Sequence, residues 1–160
     1  MARRTVAAIA VAWLVTIAID FVIFGGLFAG VLEDADDLAV LAPEQLFVLI
    51  PAGYASFLLE VVLLQWLLKA SPRPGINGGL ITGLAAGLVF ATAVALGVWS
   101  FSTVPVSALG LWWLTLLLQF AAAGAVLGAA DTPQWPHVRT WAIWGAVALV
   151  LAGVVLQNLR

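Results

Sequence analysis

The sequence predicts an all-α integral membrane protein: a bundle of about five transmembrane helices with its N-terminus cytoplasmic and its C-terminus outside. Three observations carry that reading. Of the 160 residues, 64% are hydrophobic and 9% charged, whereas soluble domains carry about 25% charged and about 45–50% apolar residues. Five runs almost free of charge approach the ~20 residues needed to cross a bilayer core of about 30 Å. Five of the six basic residues fall at span ends on one side, and the acidic first connection falls on the other, as the preference of basic residues for the cytoplasmic side requires.

The first run, residues 5–28, follows Arg3 and Arg4 and contains Asp20. A basic start leading into an apolar stretch also suits a signal peptide, but this stretch exceeds the usual ~7–15 residues and Asp20 interrupts it, so it is expected to remain as a span. An acidic connection follows, with Glu33, Asp34, Asp36, Asp37 and Glu44. It lacks the ligand spacing and turn glycine of an EF-hand and reads as a solvated outer loop, with the apolar residues 38–42 dipping back toward the bundle. The second run, residues 45–68, contains Glu60 and, near its outer end, Pro51, which removes a backbone donor and is expected to kink the helix.

Pro72 and Pro74 separate the second run from the third, residues 78–99; Pro105 precedes the fourth, residues 107–130, at a position where a missing donor costs little. Pro133 and Pro136 are expected to hold the fourth apart from the fifth, residues 140–156. None of the last three runs contains an ionisable side chain. Residues 1–160 form one polytopic domain on this reading.

Arg3, Arg4, Lys69, Arg73 and Arg139 all fall on one side of such a topology and only Arg160 on the other, so the basic side is expected to be cytoplasmic. Trp66, Trp99, Trp135 and Trp141 stand near span ends, where amphipathic rings suit the headgroup level. There is no cysteine and one histidine, His137, which removes disulfides and thiolate or paired-histidine metal sites from consideration. The few charges suggest no nucleic-acid partner. Arginine outnumbers lysine, and Ala, Leu, Val and Gly dominate, which points to the cytoplasmic membrane of a prokaryote.

The most regular pattern lies in the third run, where Gly79, Gly83, Gly87, Ala91 and Ala95 recur every four residues. Small side chains on one helix face let another backbone approach closely, which is how helices associate where lipid removes the hydrophobic drive. The stripe is expected to pack inside the bundle, with a homodimer face or a larger membrane complex as the alternative. Gly26 with Gly30, and Gly124 with Gly128, repeat the spacing.

Asp20 and Glu60 are the candidate functional residues, because a carboxylate at the bilayer centre costs about 2.5–3.5 kcal/mol on insertion scales. Each follows a hydroxyl residue by four positions, Thr16 and Ser56, and Thr115 precedes Gln119 in the same way. Residues four apart share a helix face, so three helices each offer a polar stripe to bury together. Gly53 is expected to keep the second stripe narrow and Trp112 to cap the cluster. Span arithmetic puts the two acids roughly 5–10 Å apart along the membrane normal. No basic residue lies deep in a run to neutralise them, so each is expected to be neutral or to line a wet cavity.

No Gly-x-Ser-x-Gly elbow, His-Glu-x-x-His pair or phosphate-cradling glycine loop occurs. An enzyme is not expected, nor any cofactor or metal. The expected function is proton-linked movement of a small solute or ion through a central site of Asp20, Glu60, Gln119, Thr16, Ser56 and Thr115. The alternatives are a structural or accessory subunit of a larger membrane complex and a binder of lipid-like apolar ligands, with membrane lipids as partners in every case.

Overall fold

The computed structural model describes residues 2–28, 43–71 and 75–159. These form five helices and, among the described residues, no strand: α1 (Ala2–Asp20), α2 (Pro43–Ala70), α3 (Gly75–Phe101), α4 (Val106–Ala129) and α5 (Trp135–Asn158). All five are long and apolar enough to cross a membrane, α1 when taken together with the turns that extend it to Leu27. The acidic residues 33, 34, 36 and 37, the apolar residues 38–42, Gly30, Pro72, Arg73, Pro74 and Arg160 lie outside the described residues, and the Glu44 side chain is not described.

Most helix ends fall within a few residues of the expected ones; α5 departs furthest. It begins at Trp135, five residues before the expected start, and takes Pro136 into its first turn. A first-turn proline loses nothing, because the N–H it lacks would have had no intrahelical partner. Trp135, the first residue of the span, is correspondingly buried, 5% exposed, and faces the core rather than outward. Trp66, Trp99 and Trp141 are exposed on the outside of the bundle. Pro51 is carried inside α2, which continues through it.

A second departure lies just after Asp20, where Phe21–Leu27 continues α1 as a π-helix. π-Helices make up well under about 1% of residues and cluster at functional sites. Here the widened turns pass over α5 at a pair of glycines. A Cβ on Gly26 would stand 3.1 Å from the Gly153 Cα, and one on Gly153 would press 2.8 Å from the Phe21 ring. A Cβ on Gly25 would stand 2.9 Å from the Gln157 amide nitrogen; Phe21 is thus level with Gly153 and Gly25 with Gln157, so the π segment and α5 run in the same direction.

α1 and α4 form the centre. α3 packs along α4, α5 packs along α1 and its π extension, and α2 lies against α1 and α4. Within the α3 stripe, a Cβ on Gly79 would run into the Gly124 carbonyl, one on Gly83 into the Phe120 carbonyl, and one on Gly87 would stand 2.7 Å from the Phe120 Cβ. Ascending α3 thus meets descending α4, and the pair is antiparallel. Gly128 closes on Gly75 and Gly79 from the other side. The stripe is occupied by α4 of the same chain. Ala91 is fully buried, while Ala95 reaches only the edge of the contact, because a four-residue step overshoots a turn by about 40° and the drift accumulates.

Leucine, valine, phenylalanine and tryptophan cover the outer surface, among them Leu59, Val89, Phe101, Trp144 and Leu151, all more than half exposed. Such a continuous apolar exterior is the reverse of a soluble domain, and with five apolar helices it suggests a multi-pass membrane protein.

Candidate functional site

Where α1, α2 and α4 meet, the polar residues of the otherwise apolar helices converge. Gln119 of α4 is 1% exposed, and its Nε2 donates across to the Thr16 carbonyl of α1 at 3.1 Å. Asp20 lies one turn further along α1, on the side toward which that carbonyl points. Glu60 of α2 lies within electrostatic range of Asp20 and lines a crevice with Thr16, Val61, Leu64, Gln119, Phe120 and Ala123. That crevice is too narrow to hold a water molecule. Among the described residues no three His, Cys, Asp or Glu side chains come together, so the cluster offers two carboxyls and one amide.

The hydroxyls divide. Thr16, 2% exposed, sits beside the cluster but gives its hydroxyl to the Trp13 carbonyl of its own helix at 2.7 Å. Thr115, 1% exposed, is likewise committed to Leu111 at 2.8 Å. Such back-bonds to the preceding turn satisfy a hydroxyl locally, so neither threonine presents a free donor.

Ser56 is turned outward, exposed, and bonded to the Gly53 carbonyl at 2.7 Å; the expected Ser56–Glu60 stripe does not enter the site. α2 buries the edge carrying Val61 and Leu64, and Glu60 stands at the margin of that edge. A step of four residues back from Glu60 turns about 40° further from it. Gly53 faces open space, with nothing near a Cβ placed there. Trp112 is 44% exposed and does not line the crevice.

Two polar contributors escaped the sequence reading. The Trp13 indole N–H donates to the Tyr54 carbonyl at 2.7 Å and ties α1 to α2. Gln65, on α2, carries a buried amide oxygen with no donor. Its place one turn beyond Glu60, inside an apolar run, was the available signal. A separate groove of about 340 Å³ opens between the end of α3 and the start of α4, with Trp99 and Trp113 in its walls; the Trp113 indole bonds Thr92 there at 3.0 Å. It is almost wholly apolar and holds no ionisable group.

No protein-family model, curated protein or solved structure matches the chain.

Proposed function

We propose that this is a multi-pass protein of a prokaryotic cytoplasmic membrane, N-terminus cytoplasmic, in which Asp20, Glu60 and Gln119 form a site for proton-linked movement of a small solute or ion. The observation that carries the reading is the convergence of two carboxyls, from different helices, on one buried amide with no basic partner among the described residues. Isolated acids are expensive in a span and are typically kept where a proton must be held or relayed. The charge asymmetry of the connections supports the orientation. The crevice is too narrow to pass a water molecule, so conduction needs α2 to move relative to α1 and α4. Of the three helices that meet there α2 is the least enclosed, with 11% of its span buried against 50% for α4.

The test is proton flux into liposomes holding the purified protein, wild type beside the Asp20→Asn, Glu60→Gln double variant, above and below neutral pH. Flux abolished in the double variant is the expected result. Equal flux in both would remove the acids from any proton path.

A second reading is favoured by one observation, the thin coverage of α2 and α5. Those faces suit an accessory subunit docked in a larger assembly, with the acids acting as polar glue. The α3 stripe is not available for docking because α4 fills it. This reading expects no flux from either protein, lowered stability in the amide variants, and disulfide capture of a neighbour in native membranes by a cysteine at Leu59 or Val62 of α2.

A further inference from the structure

The orientation of the Gln119 amide follows from its partner. A backbone carbonyl only accepts, so the atom facing Thr16 is Nε2 and the atom turned away is Oε1. That oxygen is buried and has no donor, a condition that is costly where it persists. The neighbouring hydroxyls are committed to the carbonyls of Trp13 and Leu111. The crevice has no room for water. α3 and α4, which both touch α2, contain no ionisable side chain, and α1 brings only Asp20 to this level. Lys69 is more than two turns away on α2 and exposed.

Asp20 follows Thr16 by four residues, and a helical carbonyl points toward the residue four ahead, so Asp20 stands on the Nε2 side of the amide. What remains for Oε1 is Glu60, which shares the crevice with Gln119 and supplies an O–H only when protonated. We propose that Glu60 holds its proton as a hydrogen-bond donor to Gln119 Oε1, with Asp20 as the acceptor on the other side of the same amide, so that the three side chains share one dissociable proton. The proposal deepens the transport reading and rests on the cluster being its proton site. Gln119 is then a positioning residue: it decides which of two acids is neutral. Loss of the proton strands Oε1 in an apolar crevice, so deprotonation favours separation of α2 from α4, which is the movement an occluded site needs.

Infrared spectroscopy of the carboxylic C=O band tests this directly. In an Asp20→Asn background Glu60 is the only acid in a span, and at about pH 6 solvent-exposed carboxylates are ionised. A protonated-acid band is expected in that variant, shifted to higher frequency when Gln119→Met removes the acceptor. An absent band, or one that Gln119→Met does not move, overturns the proposal. Stability gives a second readout that does not need the Gln119 variant to fold. Glu60→Gln keeps an N–H for Oε1 and is expected to melt with wild type, while Glu60→Met melts below it; equal melting of all three overturns the bond. Flux and band fail separately: the expected band in a protein without flux removes transport and leaves the bond, and flux without the band does the reverse.

Discussion

Gln119 has two amide protons and one oxygen to place, and its neighbours explain why position 119 tolerates a polar residue in a helix that is otherwise apolar. Its bond to Thr16 crosses from α4 to α1, and bonds of this kind between membrane helices average about 0.6 kcal/mol, with maxima near 1.7. Gln119→Leu should therefore lower unfolding stability in detergent by about 1 kcal/mol, measured by denaturant titration followed by circular dichroism. Trp13→Phe, which keeps the ring and removes the donor to Tyr54, should cost a similar amount. Ser56→Ala should change neither stability nor flux, because its hydroxyl is exposed and bonded within its own turn. A flux defect from Ser56→Ala would show that the outward-facing side of α2 belongs to the pathway.

At the level of whole helices, the α3–α4 contact is the most sensitive to added volume. Gly79 and Gly83 place backbone against backbone, and a methyl at either would meet a carbonyl of α4. Overpacking typically costs about 1–3 kcal/mol, so Gly83→Ala should lose stability in that range and Gly83→Leu should fail to fold. Gly97→Ala and Gly110→Ala make the contrast: open space surrounds both positions, and melting should stay at the wild-type temperature or rise slightly. Equal loss at Gly83 and Gly110 would mean that the glycines act through helix propensity alone. The π segment adds a similar contact at Gly26 and Gly153, where Gly153→Leu should detach α5 from the end of α1 and be read as increased proteolysis after α4.

For the whole molecule, the topology places the α3–α4 and α4–α5 connections at opposite ends of one long antiparallel pair. The chain has no cysteine, so single cysteines at Thr103 and Asp131, both exposed, report on sidedness without background. In sealed, oriented vesicles a membrane-impermeant thiol reagent should label Thr103→Cys from outside and Asp131→Cys only from the cytoplasmic face. Labelling of both from one side would contradict a spanning α4, and reversed labelling would invert the orientation while leaving the span count intact.

Five long apolar helices and the spacing of α3's small residues could be read from the chain, because hydropathy over about 20 residues and a four-residue repeat are local properties that no neighbour alters. Two things could not be read. Which face of a helix is buried depends on what packs there: the same four-residue spacing buries Thr16 and Thr115 in the enclosed helices α1 and α4 but leaves Ser56 outside, because α2 is covered along only one edge. The second is the contact point: a shared site for Asp20, Glu60 and Gln119 was expected from their polar stripes, but which atoms meet there depends on how three helices far apart in sequence pack. The start of α5 within the proline pair and the π turns after Asp20 are likewise settled by packing, which buries Trp135 and brings Gly26 against Gly153. Composition and local period determined the elements; only the tertiary contacts decided which polar atoms are satisfied and which, like the Gln119 oxygen, are buried without a donor.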